Sequence, residues 1–308
     1  MAVLQRHSTA PRRTPVRPGK VSASRVVPAG VPAPPYIATG GVPSSRALRP
    51  LTDPVAVGRL AAAGRAARRV LDRLGAEVRP GVTTDLLDAV AHQAYLDEGG
   101  YPSTLGYRSY PKSLCTSVNE IVAHGIPDDR PLAEGDIVNC DVTIYLEGMH
   151  GDCSCTFLVG GPDAVAPRTR ELVEVTELAL RAGIAAVAPG GRVRDIGRAI
   201  QQVARGHGFG IVRELVGHGI GEQFHGDPHV HHYDEPRNRT VLRPGMSFTI
   251  EPMLTEGMPD VHLWDDGWTI ATIDGFPSAQ FEHTVLVTHD GVEVLTVNDD
   301  GDAAYRVG

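Results

Sequence analysis

Asp141, Asp152, His218, Glu251 and Glu282 stand in strand-like, apolar company, in runs such as IVNCDVTIY and MSFTIEPML. A carboxylate buried there without a partner forfeits several kcal/mol of solvation or takes up a proton. Four carboxylates and one imidazole in such settings require a common counter-charge, and a pair of divalent metal ions would supply it. Oxygen-rich donors without a thiolate favour manganese, iron, cobalt or zinc.

The first two carboxylates can be placed on one another by geometry. Asp141, Thr143 and Tyr145 alternate with Val142, Ile144 and Leu146, which is the period of a strand. Glu147 and Gly148 suit a two-residue hairpin turn. That turn sets Asp152 across from Thr143, with Asp141 as its diagonal neighbour on the same face, roughly 7–8 Å away.

An internal repeat bears on the same residues. Leu132, Gly135 and Asp141 have the spacing of Leu242, Gly245 and Glu251, 110 residues further on. At that displacement Asp85, Leu86, Ala89 and Val90 match Asp195, Ile196, Ala199 and Ile200, each set after a Val-x-Pro-Gly element. The chain reads as two copies of helix, helix and strand hairpin over about 51–160 and 165–300, forming an α+β domain that closes on itself. Helices are expected from the cap Asp53 to about Leu74, then over 84–98, 167–186 and 193–206. Strands follow near 210–217, 246–253, 268–273 and 280–297.

Charge divides the chain. Residues 1–50 hold eight of the 29 Lys and Arg and none of the 37 acidic residues, which leaves 21 basic against 37 acidic elsewhere, a balance of −16. They also hold nine of the 24 prolines. Such a segment cannot build a core, so an extended or disordered, mobile arm is expected ahead of a catalytic domain over 51–308. A basic arm is attracted to polyanions such as ribosomal RNA. Arg12, Pro15 and Pro18 also fit a polyproline motif that an SH3-like groove accepts. A mitochondrial transit peptide is a rival reading, opposed by the proline density. No run suggests a membrane span or a secretion signal. Cys115, Cys140, Cys153 and Cys155 lack disulfide or zinc-finger spacing, which points to the cytoplasm.

The order of the five residues, with HGIP at 124–127, GHGIG at 217–221, FTIEPM at 248–253 and AQFEHT at 279–284, resembles the type I methionine aminopeptidases of the M24 peptidases, across about 50–297. The arm is similar to that of one bacterial subgroup. The resemblance implies a pseudo-two-fold "pita-bread" fold, two divalent ions (cobalt, manganese, iron or zinc), and co-translational hydrolysis of N-terminal methionine before a small second residue, by a monomer. It also implies roles. Asp141 would chelate one ion, His218 and Glu251 the other, with Asp152 and Glu282 bridging, and Glu251 would take a proton from the attacking water. His124 and His225 match substrate-contacting positions, and Tyr107, Tyr110, Cys115, Phe224 and Trp268 match the methionine pocket. Thr104 stands at the rim where many relatives have cysteine, and Asn119 and Ser278 match a monovalent-cation site. Gly226 replaces a common acidic residue, which would loosen its loop. His229, His231 and His232 could bind a further metal or simply form a solvated loop. Two other readings compete with this one: a prolidase or aminopeptidase P, relatives that carry a long folded N-terminal domain, and a non-enzymatic binding protein, which would be expected to lose ligands.

Overall fold

The computed structural model describes residues 14–43 and 48–307. Four helices cover one side of a large antiparallel sheet. α1 (Pro54–Gly75) starts at Asp53, whose side chain accepts the Val55 N–H, and Pro54 fills the first helical position. α2 (Thr84–Asp97) starts at Thr83, which caps the Leu86 N–H. α3 (Pro167–Ala185) opens on a proline, and α4 (Val193–His207) closes on a left-handed Gly208.

The nine-stranded sheet runs Tyr101–Pro102, Ile137–Leu146, Met149–Leu158, Glu282–Val287, Ser247–Ile250, Gly217–Gly219 and Gly226–Val230, with Cys115–Val118 and Val292–Val294 attached off this path. In the first hairpin Thr143 faces Asp152 and Asp141 faces Ser154, the register that the alternation and the turn predict. Glu147 and Gly148 both take positive φ, 49° and 87°, as a tight hairpin turn requires. α1 packs on this hairpin at Gly151, where a side chain would lie 2.3 Å from the Ala63 backbone. Successive strand residues point to opposite faces, so the glycine that admits the helix hands the opposite face to Asp152.

The two copies follow matching paths, with one change to the expected alignment. Thr83 bridges Pro131, and Arg192 bridges Val241. The buried stripe of α2 includes Thr84, Leu87, Asp88 and Ala91, and that of α4 includes Val193, Ile196, Gly197 and Ile200. These superpose at a displacement of 109, not 110, so Leu86, paired with Ile196 in the sequence, instead faces solvent. Burial sets helix phase, and the extra residue of the second copy falls between helix and strand.

The arm differs from the mobile tail expected of it. Residues 14–43 are extended apart from a turn at 29–30 and one 3-10 turn, Pro35–Thr39, but they lie along the domain. The Val16 N–H donates to Glu120, the Gly19 N–H to Asp128 and the Lys20 N–H to Asp129. Arg25 pairs with Asp88 at 2.9 Å, and Lys112 reaches Ser22 Oγ at 2.6 Å. A basic segment that cannot form a core is held by the acidic surface beside it. Pro15 and Pro18 belong to this docked stretch, while Arg12 of the polyproline motif lies outside the described residues. No helix among the described residues is long and apolar enough to cross a membrane.

Candidate active site

Five adjacent strands carry the ligand candidates to one face, with Glu251 just past the end of its strand. Asp141 and Glu282 both pair with Ser154, from opposite sides of the strand Met149–Leu158, and Asp152 is two residues from Ser154 on that same face. Glu251 follows Ile250, which faces His283, and His218 precedes Gly219, which faces Phe248. Ligand atoms of Asp152, His218 and Glu282 lie within 4.8 Å of one another. His218 Nε2 is 3.7 Å from Asp152 Oδ2 and 3.6 Å from Glu251 Oε1.

Neighbouring side chains fix these groups. Thr143 donates to Asp152 Oδ1 at 2.8 Å, Thr249 to Glu251 Oε1 at 2.7 Å, and Gln280 Nε2 to Glu251 Oε2 at 3.2 Å. The Glu251 N–H donates to His232 Nε2 at 3.2 Å. His218 Nδ1 lies 3.2 Å from the Gly219 carbonyl, which as its acceptor leaves Nε2 free to ligate.

Burial pushes Asp141 up to about 7. Glu251 is pushed up to about 8 by burial, against the Thr249 hydrogen bond and with the Asp141 charge adding to the rise. Asp152 and Glu282 lie well above their ordinary values, from burial first and then from the other carboxylates. Burial holds His218 down at about 4, hence neutral, as a metal ligand must be. Among the described residues no Lys or Arg forms an ion pair with any of the four carboxylates, whose charge partner within reach is only His218. Oxygen donors crowded round one neutral imidazole, with no side-chain cation, fit a divalent metal.

Beside this cluster is a group of packed aromatic side chains. Tyr107 meets Phe224 at 5.0 Å and His225 at 5.1 Å, and His225 meets His218 at 4.2 Å between ring centroids. Trp268 closes another side, 5.1 Å from Tyr110 and 6.0 Å from His124. Tyr110 is fixed by donation to the Leu114 and Gly125 carbonyls. His124 holds a φ of 57°, unfavourable for a residue with a side chain and common where function fixes the backbone.

The model of metallopeptidase family M24 matches residues 58–289. The chain belongs to metallopeptidase family M24. It is 47% identical over 287 residues to methionine aminopeptidase 2 of Mycobacterium tuberculosis, covering 93% of this chain and 99% of the relative. Methionine aminopeptidase from Rickettsia prowazekii superposes with a TM-score of 0.78 at 43% identity, over 81% of this chain and 100% of the other. Prolidase from Pyrococcus furiosus, at 22% identity and a TM-score of 0.65, shares the fold alone, and 80% of this chain matches 65% of that one. The fold of this M24 member is the pita-bread fold, and its relatives are metal-dependent aminopeptidases.

In this M24 chain the five ligand candidates meet on one face, and the rings of His225, Tyr107, Phe224, Tyr110 and Trp268 pack beside them. Cys115 is buried opposite Asp141. Thr104 donates to the Lys112 carbonyl, which directs its hydroxyl into the loop. The Ser278 N–H donates to the Asn119 carbonyl at 2.9 Å, so these two positions adjoin. The three clustered histidines do not converge. His229 faces Asp227, His231 meets Asn238, and His232 is buried behind Glu251. At Gly226 a side chain would strike Leu48 of the arm at 2.6 Å, so the arm packs closely against this position.

Sequence reasoning missed Thr143, Thr249, Gln280 and His232. A signal existed for the first three. Each lies two residues from a ligand candidate, at 141, 251 or 282, and therefore on the same strand face. His232 carries the alternation of buried Val230 one step past its strand.

Proposed function

We propose that this chain removes the N-terminal methionine from new polypeptides in the cytoplasm, as they are made and when the second residue is small. Two divalent ions, drawn from cobalt, manganese, iron and zinc, would be held by Asp141, Asp152, His218, Glu251 and Glu282, with Asp141 serving one ion, His218 and Glu251 the other, and Asp152 and Glu282 both. When bound, the metal supplies the charge that makes water a nucleophile at neutral pH and polarises the scissile carbonyl.

The protein's own groups do the rest. Glu251, with one oxygen held by Thr249 and the other by Gln280, is placed to take the proton of the attacking water. His225, between His218 and Tyr107, is aimed to steady charge that develops on the carbonyl oxygen. His124 contacts the peptide or passes a proton to the leaving amine. Tyr107, Tyr110, Cys115, Phe224 and Trp268, with Thr104 at the rim, receive the methionine side chain, whose sulfur packs well on aromatic rings. Asn119 and Ser278 would frame a monovalent cation through their backbone oxygens.

The observation that carries this reading is the adjacency of a cation-free carboxylate cluster to an aromatic pocket, joined through His218 and His225. An anaerobic metal titration with Met-Ala-Ser and with Xaa-Pro peptides tests it. Metal-dependent release of methionine is expected, and preferential cleavage next to proline, or none at all, would refute it. The enzyme would act as a monomer, which a sizing measurement checks. The basic arm over residues 1–50 would contact the ribosome, and unchanged co-sedimentation after its removal would exclude that contact.

A further inference from the structure

The arm reaches the pocket. Residues 35–41 fold into a 3-10 turn that ends in two positive-φ glycines, Gly40 at 70° and Gly41 at 86°, and this turn lies on the loop that carries Tyr107. The Arg108 N–H donates to the Gly41 carbonyl at 2.8 Å. A side chain on Gly41 would overlap the Gly106 carbonyl at 2.1 Å, so the two backbones approach as closely as glycine permits.

That loop is strained. Arg108 and Ser109 hold φ of 45° and 69° in succession, a left-handed conformation that residues with side chains keep only where their surroundings hold them. Part of the holding comes from the arm.

Tyr36 is the arm's entry into the pocket. It is 6% exposed and clusters with Tyr107 and Phe224. Its ring meets Tyr107 edge-on at 5.2 Å, and its hydroxyl donates to the Ser103 carbonyl at 2.5 Å. Ser103 Oγ in turn bonds His150 Nδ1 at 2.8 Å. The His150 ring lies nearly parallel to both Tyr36, at 6.1 Å, and Phe224, at 5.4 Å. Tyr36 therefore touches one pocket aromatic directly and supports another through His150.

We propose that Tyr36, carried by the N-terminal arm, is a specificity-determining positioning residue, which sets the methionine pocket by holding Tyr107 directly and Phe224 through His150. The proposal rests on the pocket being the methionine site, as argued under the proposed function. The arm then has a task within the enzyme, independent of any partner it meets outside. Losing the edge contact lets Tyr107 and its strained loop relax, which widens the slot while leaving the carboxylate cluster untouched.

The test uses the full-length, metal-loaded protein and its variants Tyr36→Ala, Tyr36→Leu and Tyr36→Phe, with Met-Ala-Ser and Leu-Ala-Ser as substrates. For Tyr36→Ala, KM for Met-Ala-Ser rises roughly tenfold or more, the order that one altered contact in an apolar pocket produces, while kcat stays within about threefold. Preference for methionine over leucine falls with it, and Tyr36→Phe, which keeps the ring, restores most of both. Tyr36→Leu keeps apolar bulk without the ring and serves the same readouts should the alanine variant not fold. Wild-type KM and preference in the alanine or leucine variant would overturn the proposal. A loss of kcat that only tracks a lower melting temperature would overturn it as well. Failure of the wild-type protein to release methionine from Met-Ala-Ser would instead refute the functional reading beneath it.

Discussion

Asp85 and Asp88, on α2 beneath the arm, have Lys112 and Arg25 beside them, whereas Asp141, Asp152, Glu251 and Glu282 have no Lys or Arg paired with them among the described residues. Lys112 is wholly buried, 2.5 Å from Asp85 and 3.8 Å from Asp88. Burial acts to raise Asp85, but Lys112, Ser22 and Arg25 together bring it below its ordinary value, while the fully buried Asp88 stays raised by burial although Lys112, the Ser113 N–H and Arg25 oppose the rise. In the active-site cluster burial and mutual repulsion act in the same direction, and every carboxylate is raised. The same residue type is thus used in two ways. Where the chain supplies the counter-charge, acidic residues fasten the arm, and where it withholds one, they are left available, on the proposed reading, to bind a metal.

Four measurements would break or sharpen that contrast. Asp152→Asn should lower turnover by about a thousandfold or more, since a ligand to the activating charge is lost. Its metal-free melting temperature should not fall, because a repelling charge has gone; a large drop would mean that the cluster is stabilising without metal. At the arm the expectation reverses. Lys112→Met takes the buried cation from Asp85 and Asp88, leaving them only the partly exposed Arg25, and should cost about 3–5 kcal/mol in denaturant unfolding; a neutral result would dissolve the comparison. Thr249→Val removes a hydrogen bond to Glu251 and should weaken metal binding by about 10–100-fold in calorimetry, with little change in the fold.

The smallest effect concerns pH. His92 bonds Ser113 through Nδ1 and the arm's Val26 carbonyl through Nε2. Burial lowers it from its ordinary 6.5, against the Val26 bond and the Asp88 charge, with Arg25 also opposing its protonation. The unfolded chain then holds a proton that the folded chain does not, so stability falls as pH drops below 6.5. The slope should flatten in His92→Gln, and an unchanged slope would assign it to another group.

Much of the site was legible in the chain because its grammar is local. Alternation and a two-residue turn were enough to set Thr143 against Asp152, and Asp53 marked a helix start by its own chemistry. The helix alignment slipped by one residue because a repeat in letters does not report burial phase: Leu86 is exposed and Leu87 buried. The arm was read from its composition, which excludes a core of its own but says nothing of a neighbour's. Arg25 meets Asp88 63 residues away, and Tyr36 meets Ser103 67 residues away. His150 carried no motif, and only its place beside Tyr36 and Phe224 gives it a part.

The sequence by itself determined the strand alternation, the helix caps, the turn that aligns the first hairpin and the donor types that suit a hard or borderline metal. These follow from backbone periodicity and side-chain chemistry within a few residues. Only the tertiary structure decided that His232 backs Glu251, that the basic arm lies on acidic α2 and that Tyr36 completes an aromatic wall. Those contacts join segments distant in the chain, and their stability comes from burial and charge pairing that exist only once the sheet has closed.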